Sequence, residues 1–227
     1  MQRDWFHSYA FPDGETIDGI KSLGLLQTEA DEVFRHGVEG RTVLDIGAWD
    51  GFFSYEAERR GARRVLATDH FCWSGPGWGT KEGFDYAGPK LGSTRVEALD
   101  IDLPDLSPET LGGRFDTVLF LGVLYHVKDP YGCCERAASV AADHLVLETV
   151  FALEDVDTPA MRYFRPRELN NDPTTFWAQN RLCLEAMFRD LGFGRFEFHP
   201  NGDPAPASGI GRYFMHAWRD QSAPVRD

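Results

Sequence analysis

Apolar residues fall in seven short runs along the chain: Val43–Ile46, Val65–Thr68, Val96–Leu99, Thr117–Leu121, Leu145–Thr149, Arg195–His199 and Arg212–Trp218. Their length and β-branched content fit strands, and helical candidates separate most of them. This alternation predicts a parallel sheet covered by helices on both faces. Thr28 to Gly37 reads as a helix with Thr28 at its N-cap and Gly37 at its stop. Asp129-Pro130 places a capping carboxylate and a first-turn proline ahead of another. Asp172-Pro173 repeats that device before the amphipathic segment Phe176 to Leu191, which halts at Gly192. The last two runs are joined by the turn-rich NGDPAPASGIG and are predicted to pair as a hairpin.

Between the first two runs the pattern is more specific. Residues 42 to 69 read TVLDIGAWDGFFSYEAERRGARRVLATD: an apolar run ending around Asp45, a turn with Gly47 and Gly51, a helical stretch, and a second apolar run closing on Asp69. Glycine at such a turn lets backbone approach a ligand where a Cβ would block it, and an acid after the second strand can accept both ribose hydroxyls. The unit is expected to hold a nucleoside-containing cofactor at the carboxyl ends of adjacent parallel strands. A dinucleotide turn needs glycine at its first, third and sixth positions, which here hold Gly47, Trp49 and Phe52, so pyrophosphate is not expected. An ordinary strand-to-helix turn is the bland alternative.

Composition narrows the class. A chain of 227 residues with 42% hydrophobic content suits one large α/β domain with a substantial core. No apolar stretch approaches the roughly 18 residues of a membrane span, and the N-terminal MQRDWFHSYAFPDG lacks an apolar signal core. A cytoplasmic protein without membrane contact is expected. Cys72, Cys133, Cys134 and Cys183 form neither a Cys-x-x-Cys pair nor a disulfide framework and fit reduced thiols. A net charge of −13 repels phosphate backbones, which disfavours nucleic acid as a partner. Arg59, Arg60, Arg63 and Arg64 form the one dense basic cluster and read as a solvated helix end.

The pattern Asp45-x-Gly47-x-x-x-Gly51 resembles the first motif of class I S-adenosylmethionine-dependent methyltransferases, with Trp49 where the middle glycine is usual. The resemblance implies S-adenosylmethionine as cofactor, Asp45 near its amino end, and the turn against its methionyl moiety. It also implies a single Rossmann-like, doubly wound α/β sheet of seven strands with the last antiparallel. Asp69 and the following His70 then lie at the ribose, Asp100 and Ile101 at the adenine, and Leu121 at the end of the fourth strand. Asp100 can equally be a solvated loop acid. The loop after Asp69 carries Phe71, Trp73 and Trp78, whose ring faces suit a sulfonium or a purine, and also suit core packing.

The fourth run leads into Leu124-Tyr125-His126, at the strand end where this architecture places its ligands. His126, with an ordinary pKa near 6.5, suits removal of a proton from an attacking hydroxyl or amine, and Tyr125 suits substrate orientation. Both can instead cap a loop. FDTVLFLGVLYHVKDP, LVLET, PAMRYFRPRELNNDP and CLEAMFRDLGF are similar to the tRNA wobble-uridine carboxymethyltransferase family and its smaller methyltransferase relatives, over roughly residues 40 to 218. Members acting on tRNA bind a carboxylated S-adenosylmethionine through a tyrosine matched by Tyr125 together with basic residues. No basic partner is assignable from this sequence, so the ordinary cofactor is expected.

Substrate contacts are expected from Trp78, Glu148, Arg165, Asn171 and Trp177, three of them in or just after a long insertion at 151–176. Arginines there suit a carboxylate or phosphate, although a turn and helix cap explain Asn170 to Pro173. Glu148, Asn170, Asn171 and Asp172 are hard oxygen ligands, but no spacing demands a metal and none is assigned. Residues 1–27 are expected to form an N-terminal lid or an aromatic arm packed on the surface, 28–220 the catalytic domain, and 221–227 a disordered tail. The resulting expectation is methyl transfer to a small-molecule acceptor, with His126 as base. A tRNA-modifying enzyme and a non-catalytic cofactor-binding subunit are the alternatives.

Overall fold

The computed structural model describes residues 5–203 and 206–220. The expected tail, 221–227, lies outside the described residues, as do residues 1–4 of the expected lid. In chain order the elements are β1 (Tyr9–Ala10), β2 (Thr16–Ile17), α1 (Leu23–Val33), β3 (Thr42–Ile46), α2 (Phe52–Arg59), β4 (Arg64–Asp69), α3 (Glu82–Leu91), β5 (Val96–Asp100) and β6 (Phe115–Leu121). They continue with α4 (Pro130–Ser139), β7 (Ala141–Phe151), β8 (Met161–Tyr163), β9 (Trp177–Gln179), α5 (Arg181–Asp190), β10 (Phe193–Pro200) and β11 (Gly211–Arg219).

The main sheet follows the order β10-β11-β7-β6-β3-β4-β5. β3 and β4 are parallel, as are β4 and β5, whereas β11 runs antiparallel to both β7 and β10. The expected Rossmann-like seven-stranded sheet with its last strand antiparallel is therefore the architecture. By packing, the chain forms two units.

The first unit comprises the chain up to Asp105 with Phe115–Leu119. Val43 and Leu44 of β3 and Val65 and Ala67 of β4 are fully buried, as parallel strands covered on both faces require. Helix α2 buries Phe52, Phe53, Tyr55 and Ala57. All four arginines of the basic cluster are ion-paired: Arg59 with Glu56, Arg60 with Glu56 and Asp31, Arg63 with Asp116, and Arg64 with Glu97. The second unit is Leu106–Arg114 with the chain from Phe120. Its β7 is buried from His144 through Phe151, longer than the predicted Leu145–Thr149, and β11 pairs with it over those same residues.

Two helix starts differ from expectation. Helix α1 is capped by Ser22, which accepts from the Leu25 N–H, while Thr28 lies inside the helix and its hydroxyl donates to the Gly24 carbonyl at 3.1 Å. An earlier serine therefore takes the cap, and Thr28 bonds back within the turn. The helix expected from Phe176 begins only at Arg181, capped by Asn180, whose side chain accepts the Cys183 N–H at 2.9 Å. Trp177–Gln179 is instead strand β9, which pairs with β8 inside the insertion and meets β7 at Phe151. Tertiary pairing overrides the helical period there. At Asp129-Pro130 the expected cap forms, with Asp129 accepting the Gly132 N–H.

Candidate functional site

In the first unit, β3 delivers the chain into a turn fixed almost wholly by backbone. Gly47, at φ 78°, and Ala48 donate their N–H groups to the Thr68 carbonyl at 2.8 and 3.0 Å. Gly51, at φ 83°, starts α2, and a Cβ there would lie 2.5 Å from the Phe84 ring. Trp49 is also left-handed, at φ 48°, which is unfavourable for a bulky residue. Four contacts hold it. Its N–H donates to Asp69 Oδ2 at 3.0 Å, its carbonyl accepts the Trp73 indole N–H at 2.8 Å, and its ring stacks on Phe6 at 4.4 Å and on Trp78 at 5.9 Å.

The acids around this turn are buried and partnered. Asp69 closes β4 and also accepts the Cys72 N–H at 2.9 Å. Each of its oxygens holds one backbone donor, which leaves acceptor capacity for a diol. Asp45 accepts the Ser54 hydroxyl at 2.6 Å, and burial raises its pKa to about 6. Burial likewise raises Asp69. Asp50 accepts the N–H groups of Phe6 and His7 at 2.8 and 3.0 Å, and its carbonyl accepts the Tyr9 hydroxyl, so the N-terminal segment is tied to the turn itself. His70 and Asp100 form an exposed pair at 2.9 Å, and the Ile101 N–H donates to the Asp69 carbonyl. Trp78, 47% exposed, belongs to this aromatic group, where it also meets Phe71 edge-on.

The second unit gathers a different cluster. After Leu121, Gly122 at φ 74° donates to the Glu148 carbonyl at 3.0 Å, and a short turn over Leu124–His126 buries Leu124. The Arg212 guanidinium grips Glu148 with two bonds of 2.6 Å, donates to Tyr125 Oη at 3.0 Å, and lies over the Tyr125 ring at 4.7 Å. Asn201 adds a bond to Glu148 at 3.1 Å. Burial opposes the charge on Arg212, but Glu148 beside it keeps the guanidinium firmly protonated. Burial pushes the Tyr125 hydroxyl up and His126 below its usual value. His126 Nδ1 lies 3.1 Å from the Thr174 carbonyl and 2.9 Å from the Thr174 hydroxyl.

Of the other expected substrate residues, Trp177 meets Tyr163 edge-on, and its indole N–H is buried with no partner among the described residues. Arg165 and Asn171 are exposed. Asn171, at φ 57°, accepts from Arg167 at 3.5 Å within a turn. Arg212, Asn201 and Thr174 were not singled out from sequence. The one available signal was an arginine at the head of the apolar run Tyr213–Trp218. A cavity of about 830 Å³ in the same unit is lined by Phe151, Phe198, Tyr213 and Arg181. Strand alternation sends Tyr213 and Arg212 to opposite faces of the sheet, and neither Arg212 nor Tyr125 lines this cavity.

No protein-family model matches the chain. The tRNA U34 carboxymethyltransferase of Syntrophotalea carbinolica is 29% identical over 165 residues, which is 69% of this chain and 45% of that protein. The same enzyme of Pseudomonas aeruginosa is 30% identical over 163 residues, covering 69% and 46%. The chain thus spans under half the length of these relatives. Among solved structures, the N-terminal domain of EvdMO1, in the presence of SAH and D-fucose, matches with a TM-score of 0.70 at 21% identity over 95% of this chain and 91% of that one. Magnesium protoporphyrin IX methyltransferase from Synechocystis PCC 6803, with bound SAM, matches at 0.61 and 17% identity over 87% and 79%. The chain thus has the fold of these solved structures, which were determined with SAH or SAM.

Proposed function

We propose that the protein is an S-adenosylmethionine-dependent methyltransferase acting on an oxygen of a small-molecule acceptor. The observation that carries this reading is the turn from Gly47 to Gly51. Trp49 occupies the place where a dinucleotide's pyrophosphate would need bare backbone, while Asp69 keeps the ribose position. The residues fit the cofactor: burial disfavours the charge on Asp45 and Asp69, and a cationic ligand relieves that cost. When bound, S-adenosylmethionine supplies a methyl group on a sulfonium, whose transfer is intrinsically favourable. Asp69 would hold the ribose hydroxyls, the Gly47 and Gly51 backbone the methionyl portion, and Asp45 its amino end. His126 would take the acceptor's proton, and Tyr125 would orient the acceptor. EvdMO1 with SAH and the Synechocystis methyltransferase with SAM support the cofactor assignment.

Calorimetric titration of S-adenosylmethionine and S-adenosylhomocysteine into wild type and Asp69→Ala tests this. Binding by wild type, weakened in the variant, is expected. Absence of binding by a folded wild type overturns the reading.

The Tyr125–Arg212 contact favours a second reading, a tRNA wobble-uridine carboxymethyltransferase, because it supplies the cationic neighbour that the sequence left unplaced. Glu148 argues against it: its carboxylate already neutralises Arg212, and a ligand carboxylate there would meet a second negative charge. The ion-paired arginines of the first unit argue the same way for tRNA. Filter binding of tRNA across a salt series separates the two readings, since phosphate contacts give strongly salt-dependent affinity.

A further inference from the structure

The His126 ring is held at one nitrogen by two atoms, and the protons of that group can be assigned from chemistry alone. The Thr174 carbonyl oxygen, 3.1 Å from Nδ1, can only accept a hydrogen bond. The Thr174 hydroxyl, 2.9 Å from Nδ1, lies 2.6 Å from Asp172 Oδ1 and directs its own proton to that carboxylate. It therefore presents a lone pair to the ring. Asp172 is fixed in turn by the Thr174 N–H at 2.8 Å and the Thr175 hydroxyl at 3.3 Å. Burial works against the Asp172 charge, but the Thr174 bonds carry its pKa below the usual carboxylate value, so it is ionised at neutral pH.

We propose that Asp172 and Thr174 are positioning residues that lock neutral His126 as its Nδ1–H tautomer and so place the ring's basic lone pair on Nε2. As a catalytic device this rests on His126 being the base, but the tautomer stands independently of that role. In the transfer step, the acceptor's O–H bond would break and its proton join Nε2, while the oxygen's electron pair would form the new bond to carbon as the donor's carbon–sulfur bond breaks and its electron pair returns to sulfur. The ring becomes an imidazolium whose Nδ1–H remains on Thr174, with the Asp172 carboxylate beyond it at 3.9 Å, and the proton then leaves to solvent. A carboxylate behind a histidine stabilises the charged ring and fixes which nitrogen reacts. Thr174 stands between the two as a relay.

The groups facing His126 set the sign of a pH test. Burial lowers its pKa, the bond to the Thr174 carbonyl raises it, Asp172 and Glu148 raise it, and Arg212 lowers it. Removing the Asp172 charge therefore moves the acid limb of activity to lower pH, which a loss of mere structure does not do.

Nitrogen-15 NMR of the resting, cofactor-free protein reads the tautomer directly, with His126→Gln identifying the signals. Wild type and Thr174→Ser are expected to show a protonated Nδ1 and an unprotonated Nε2. Thr174→Val and Asp172→Asn, which leave only the backbone carbonyl of residue 174 as a fixed acceptor at Nδ1, are expected to show a raised fraction of the Nε2–H tautomer while retaining the wild-type circular dichroism. A protonated Nε2 in neutral wild type, or an unchanged pattern in both Thr174→Val and Asp172→Asn, overturns the proposal. Single-turnover methyl transfer, once an acceptor is in hand, should fall in Thr174→Val by part of the roughly 10²–10⁴-fold that a general base contributes, and recover in Thr174→Ser. A shifted tautomer with an unchanged rate would leave the relay standing and remove His126 as the base.

Discussion

The glycine turn of the first unit and the Tyr125–Glu148–Arg212 cluster of the second are built by opposite means. In the turn, the Thr68 carbonyl and the Asp69 carboxylate are held by backbone N–H groups within a stretch of contiguous sequence. In the cluster, side chains hold one another, and Arg212 stands 87 positions from the tyrosine it touches. A site made of backbone is insensitive to most substitutions but intolerant at its glycines. A site made of side chains can be rewritten residue by residue.

The sharpest way to break the comparison is Gly51→Ala. The new methyl would meet the Phe84 ring at 2.5 Å in a left-handed backbone, so a loss of about 2–4 kcal/mol in stability is expected from strain and overpacking together. Urea denaturation reads the stability. Calorimetry on the folded fraction should also show weaker S-adenosylmethionine binding. Retained affinity would mean that the turn is structural and the cofactor is held elsewhere.

Arg212→Met probes the other side and should do less. It removes the cation from Glu148, whose side chain is 4% exposed and keeps the bond from Asn201, and takes the donor from the Tyr125 hydroxyl. Breaking a fully buried pair costs about 3–5 kcal/mol, but the Arg212 side chain keeps 33% of its surface, so about 2–3 kcal/mol is expected. Cofactor affinity at a temperature where the variant is folded should be unchanged. A parallel fall in affinity would show that the two regions are not separable in the way their construction suggests.

The same contrast explains what was legible in the sequence. All seven principal strands were readable because an apolar run closed by a polar or glycine turn is a local signal, and the Gly47–Asp69 turn is local throughout. The Thr28 cap failed because Ser22 offered an equally good one a turn and a half earlier. Strand β9 was hidden because Trp177–Gln179 owes its conformation to β8 and Phe151, neither of which is adjacent in sequence. Arg212 was invisible for a related reason. Only the pairing of β11 with β7 brings it beside Glu148, and no spacing in one chain encodes that register.

The smallest expected effect concerns the arm that the first unit ties to its turn. Burial lowers the pKa of His7 to about 3, while the same side chain in the unfolded chain titrates near 6.5. Above pH 6.5 both states are neutral at His7, and it contributes no pH dependence. Below 6.5 the unfolded chain takes up a proton that the folded one refuses, so stability falls with pH through the window down to about 3. Asp45 and Asp50, both raised to about 6 by burial, act in the opposite sense, since between about 6 and 3.8 the folded state holds protons that the unfolded one has lost. Comparison with His7→Gln isolates the histidine, because the acids are common to both proteins. The stability difference between variant and wild type should be constant above pH 7 and should move by about 1.4 kcal/mol in the variant's favour at pH 5.5. Urea denaturation at the two pH values measures it. A difference that stays constant would mean that His7 is protonated as readily in the folded arm as in water, and that the N-terminal segment is not held against the turn as tightly as its bonds to Asp50 imply.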